Sequence, residues 1–102
     1  MSTSPLPAAF QDSLSLPEPP PGFPPALQAL WWESKGDWNR AHEVAQAAAS
    51  KDGDRVHAML HRIEGDESNA RYWYTKAGVE FPPVPVEEER PALIREFLQQ
   101  EH

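Results

Sequence analysis

Two copies of the pattern Gly-Asp-x-x-x-Ala, Gly36-Asp37-Trp38-Asn39-Arg40-Ala41 and Gly65-Asp66-Glu67-Ser68-Asn69-Ala70, lie 29 residues apart, and a third match, Gly53 to Ala58, falls between them. Each copy sits between stretches of helical periodicity. Glycine tolerates the left-handed backbone that closes a helix, and aspartate can accept a free amide N–H at the start of the next. A fixed offset of this size between such turns is the mark of a helical repeat. The chain is therefore expected to be all-α, with two stacked αα-hairpins.

Reading outward from the turns places the helices. The first is expected to start near Pro24-Pro25, where proline is tolerated, and to run through Leu27, Leu30, Trp31 and Ser34 to Gly36. The second, capped by Asp37, presents Trp38, Ala41, Ala45 and Ala48 at spacings of three and four. Ser50 to Asp54, with Gly53, reads as a break. The third helix, Asp54 to Glu64, carries Val56, Met59, Leu60 and Ile63 on one face, and the fourth turns Ala70, Trp73, Tyr74 and Ala77 inward before Gly78. Aligning the hairpins sets Ala29 over Ala58, Leu30 over Met59, Trp31 over Leu60, Ala41 over Ala70 and Val44 over Trp73, the size matching that stacked helices require. Phe81 to Pro85 forms a rigid connector. A last helix is expected near Glu87 to Glu89, with Leu93, Ile94, Phe97 and Leu98 as its apolar face.

Eight of the twelve prolines precede Ala26. Residues 1–25 are expected to be a Pro-rich extended arm, and Leu6, Phe10, Leu14, Leu16 and Phe23 would pack it on the body or on a neighbouring chain. Residues 26–79 then form the two-hairpin repeat, and residues 80–102 the Pro-rich connector and C-terminal capping helix. Stacked repeats need about three units for stability, so either the arm and last helix act as caps or a second copy does.

The net charge of −7 argues against nucleic acid or an anionic membrane as the main partner. The absence of cysteine removes disulfides, thiolate metal sites and thiol catalysis. No run reaches the roughly 20 apolar residues that span a bilayer, and Met1 to Phe10 does not read as a secretory signal. The expectation is a cytoplasmic, acidic protein.

The helix, Gly-Asp turn and alanine-bearing second helix resemble tetratricopeptide and Sel1-type repeats. The segment Asn69 to Gly78 is similar to the aromatic second helix of a Sel1 repeat. The run from Val56 to Ala77 also resembles a group of small uncharacterised microbial proteins with a His-x-x-x-His-Arg stretch and a Tyr-Trp-Tyr block. The resemblance covers roughly residues 27–78 and implies helical hairpins and, for the two repeat families, scaffolding or peptide binding. The 29-residue offset is shorter than those families use, and the usual glycine and tyrosine spacing of the first Sel1 helix is absent from both copies.

His57, His61 and Glu64 fall at i, i+4 and i+7, on one face of the third helix. Two histidines one turn apart can share a metal, with the carboxylate as a third ligand. These positions lie about 100° round the helix from Val56, Leu60 and Ile63, where amphipathic side chains edge a core. The polar-rim reading is favoured over the metal, and no cofactor is expected. His42, on the second helix, could approach both, making a three-histidine set. Trp31 and Trp32 cannot both face one core, so one should sit at a boundary and take the proline arm or a partner. Serine nucleophile motifs, phosphate loops and dinucleotide fingerprints are absent, and the acidic run Glu87-Glu88-Glu89 reads as a solvated helix start. The leading expectation is a module that binds another protein or itself through Trp32, His42, His57, His61 and Tyr72. The alternative is a small metal- or ligand-dependent enzyme or binding protein built on His42, His57 and His61.

Overall fold

In a computed structural model of the chain, which describes residues 6–100, six helices and no strands are found among the described residues. They are α1 (Ala8–Ser13), α2 (Pro25–Ser34), α3 (Trp38–Ala48), α4 (Lys51–Glu64), α5 (Glu67–Ala77) and α6 (Val86–Gln99). The expected all-α class is what the structure has.

The two Gly-Asp turns have the same geometry. Gly36 and Gly65 take φ of 89° and 88°, and the amides that follow reach back to the preceding helix: Asp37 N–H donates to the Trp32 carbonyl, and Asp66 N–H to that of His61, both at 2.9 Å. The aspartates then cap the next helix, Asp37 accepting from Arg40 N–H at 3.0 Å and Asp66 from Asn69 N–H at 3.2 Å. A glycine C-cap followed at once by an aspartate N-cap turns the chain within two residues, and helices joined so tightly pack against each other. Accordingly α2 lies on α3, and α4 on α5. The 29-residue offset extends to the far ends of the second helices, where Ala49 (φ 50°) and Gly78 (φ 81°) both close a helix in the left-handed region.

The pairs meet through α3 and α4, with α2 also touching α4 and with α6 against α2 and α4. Phe10, Leu27, Leu30, Trp31, Val56, Met59, Leu60, Ile94 and Phe97 form one fully buried cluster, and the small residues Ala29, Ala41 and Ala45 let helices close around it. Gly53 does not break the chain. It lies in the first turn of α4, where Ser50 Oγ accepts its N–H at 3.0 Å. A Cβ there would come within 2.9 Å of the Ala45 carbonyl oxygen and of Ala48 Cβ, so the glycine admits the end of α3. Ile63, expected in the core, is 40% exposed because α4 ends one residue later.

The proline-rich segment is not extended throughout. Between Pro7 and Pro17 no proline interrupts the chain, and α1 forms there. It buries Phe10, which stacks on Phe23 at 6.1 Å. Trp31 Nε1–H donates to Ser13 Oγ at 3.1 Å, and Lys35 Nζ donates to the Leu14 carbonyl at 2.6 Å. This segment is thus held to α2 of its own chain. The first five residues of the expected arm, and the last two of the C-terminal segment, lie outside the described residues.

The acidic run is not wholly solvated either. Glu87 and Glu88 are exposed at the start of α6, but Glu89 is buried. Its carboxylate accepts from Tyr74 OH at 2.7 and 2.8 Å and from Arg62 Nη1 at 2.8 Å, while Arg62 Nη2 donates to the Val84 carbonyl. One ionic contact therefore joins α4, α5, α6 and the connector before α6.

Candidate functional site

Local sequence sets the register of the three internal histidines. His57 and His61 each follow a core residue of α4, Val56 and Leu60, which rotates them to its flank. His42 follows Ala41 in α3 in the same way. On an isolated helix such positions would be a polar rim. Here α3 covers one side of that flank, and Trp73 from α5 covers the other, so His57 is 3% and His61 8% exposed while His42 stays half-buried.

The three rings converge. Ring centroids are 4.5 Å apart for His42 and His57, 4.9 Å for His57 and His61, and 5.5 Å for His42 and His61. One ring nitrogen from each lies within 4.8 Å of the other two. Two indoles bracket the trio, Trp38 stacking on His42 at 5.0 Å and Trp73 on His57 at 3.9 Å. Trp38 is itself fixed by Nε1–H donating to the Leu60 carbonyl at 2.9 Å, a bond from α3 to α4.

Electrostatics disfavour the charged forms of His57 and His42. Burial, then the neighbouring His42 and His61, push the His57 pKa down to about 4. Burial and the proximity of His61 lower that of His42. At neutral pH each of these two rings keeps one N–H and offers one nitrogen lone pair, the state in which imidazole binds metal. His61 differs, its Nδ1 meeting Glu64 Oε1 at 2.7 Å one turn on.

The sequence offered two sets, His57 and His61 with Glu64 and the same pair with His42; the structure brings the second together and attaches Glu64 to His61 alone. His61, Glu64 and Asp66 also lie within reach of one another, but an Asp66 oxygen already caps α5. Of the remaining candidates, Tyr72 is 60% exposed and touches the cluster indirectly, edge-on to Trp73 at 5.1 Å. Trp32 lies elsewhere, lining a groove with Pro17, Pro19 and Pro21 beneath the Arg40 guanidinium. It is the boundary tryptophan that the Trp31-Trp32 pair required. The two walls of the site, Trp38 and Trp73, had read as core residues; the spacing of Trp38 and His42, one helical turn, is the signal that could have found the first.

Neutral imidazoles suit zinc, copper or nickel more than calcium or magnesium, which prefer oxygen. Tetrahedral zinc with nitrogens at 2.0–2.1 Å sets them about 3.3 Å apart, so each pair here closes by at most roughly 1.5 Å, within reach of side-chain rotation. The donor set therefore fits a borderline transition-metal ion.

Comparison with protein-family models, with curated proteins and with solved structures gave no match. No helix among the described residues is long and apolar enough to cross a membrane.

Proposed function

We propose that this chain is a small protein of two stacked helical hairpins, related in design to tetratricopeptide and Sel1 repeats, that binds a divalent transition-metal ion through His42, His57 and His61. The observation that carries the reading is the convergence of three imidazole nitrogens from two helices, walled by Trp38 and Trp73. Three histidines packed together without a shared ligand gain little from one another, whereas one ion can accept a lone pair from each. His42 belongs to the first helix pair and His57 and His61 to the second, so the ion also fastens one pair to the other.

The test is isothermal titration of the metal-free protein with zinc, followed by thermal melts. One equivalent should bind, and a free zinc concentration of 100 Kd should add about 2.7 kcal/mol of stability. His42→Ala and His57→Ala should each abolish the effect. A melt that zinc does not move, with no heat of binding, would leave the trio as a structural aromatic cluster and overturn the proposal.

A second reading is association with another protein or a second copy. Tyr72, exposed beside the site, is the observation in its favour, since aromatic side chains anchor interfaces. Light scattering decides the self-association form: a strict monomer, with and without zinc, removes it.

A further inference from the structure

Glu64 determines what kind of metal site this is. A carboxylate beside a metal can be a ligand, giving a closed four-coordinate site. Alternatively it can accept a hydrogen bond from the far nitrogen of a ligating histidine, which leaves three protein ligands and an exchangeable position. Glu64 Oε1 lies 2.7 Å from His61 Nδ1, the length of a charge-assisted hydrogen bond from the ring N–H to the carboxylate. With Nδ1 engaged in this way, Nε2 is the nitrogen His61 can offer to an ion. The other acid in reach, Asp66, accepts the Asn69 N–H at the start of α5. Neither acid is therefore placed to complete the coordination, and the indoles of Trp38 and Trp73 bring no lone pair to do so.

On the metal-binding reading above, we propose that the ion has three histidine ligands and an exchangeable fourth position, with Glu64 as the residue that orients His61. The fourth position takes a small external donor: water, hydroxide or a compact anion.

The test uses the full chain loaded with cobalt(II), whose visible absorption reports its ligands, with sodium azide as the small-anion probe. Azide should shift the cobalt bands in a saturable way. Glu64→Ala should weaken cobalt binding about 10–100-fold while the azide response persists. Glu64→Gln, which keeps an acceptor oxygen for His61 Nδ1–H, should recover most of that affinity. Long-range nitrogen–proton NMR should show His61 protonated at Nδ1 in the wild type and redistributed in Glu64→Ala, a change that lost packing alone would not produce. Circular dichroism verifies that each variant is folded. Bands that azide leaves unmoved, and that change on Glu64→Ala, would place Glu64 in the fourth position and overturn the inference. Unaltered cobalt affinity in Glu64→Ala would overturn the positioning role. If the wild type binds no cobalt and no zinc, the metal reading itself has failed, an outcome separate from these.

Discussion

At the scale of single residues, burial turns ordinary side chains into constrained ones. Glu89 shows this most directly: burial raises its pKa, and the Tyr74 hydroxyl and Arg62 guanidinium oppose the rise. Glu89→Ala would leave Arg62, only 14% exposed, without its partner. It should cost roughly 3–5 kcal/mol in urea unfolding. His57 makes the opposite kind of prediction, about pH. Its folded pKa, about 4, lies below the unfolded 6.5, so the unfolded chain binds the extra proton in that window. Stability of the metal-free protein should therefore fall as pH drops from 6.5 towards 4, by at most about 3 kcal/mol from this residue. His57→Gln should flatten the decline in urea melts taken across that range. Neither effect was visible in the sequence. Glu89 is the third of three consecutive glutamates, and nothing local separates it from its solvated neighbours; only the arrival of Tyr74 and Arg62 from other helices does.

At the scale of elements, most of the architecture was legible because helix ends obey short-range chemistry. Gly36, Gly65 and Gly78 take positive φ where helices stop, and Asp37 and Asp66 cap where the next begin. The 29-residue offset also exposes an irregularity. Ala49 stands 29 residues before Gly78 and holds φ of 50° with a Cβ, in a region that costs an L-residue about 1–2 kcal/mol. Ala49→Gly should relieve that strain and stabilise the protein by about 1 kcal/mol, raising Tm by roughly 4–8 °C. Scanning calorimetry with the opposite sign would show that the turn tolerates its alanine without strain. Gly53 was misread for a physical reason. A glycine that breaks a helix and one that admits a neighbouring backbone look alike in sequence, and the clash with Ala45 and Ala48 exists only once α3 and α4 have docked.

At the scale of the whole molecule, the proline-rich segment and α6 complete a body that two helix pairs leave open. Phe10 is fully buried in the same cluster as Leu27, Trp31 and Phe97, although it lies in a stretch whose composition suggests a tail. Phe10→Ala should cost about 3–5 kcal/mol, a large part of the 5–15 kcal/mol that holds a domain together. Denaturant melts give that number directly. A loss below 1 kcal/mol would mean that the segment is dispensable to the core.

The division of labour between chain and fold follows from the range of the forces involved. Turns, caps and helix registers depend on residues within four positions of one another. The two Gly-Asp turns, with the helical periodicity around them, were therefore enough to place the ends of α2 and α4 and the starts of α3 and α5, and to set His42, His57 and His61 on helix flanks. Whether a flank faces water or another helix depends on partners 15 or more residues away, and no local rule supplies them. Docking of α3 on α4, aided by the missing Cβ at Gly53 and the Trp38–Leu60 hydrogen bond, brought His42 to the other two. Packing of α5 laid Trp73 over His57 and closed the cluster. The histidines were thus positioned by local chemistry and made into a site by tertiary contact.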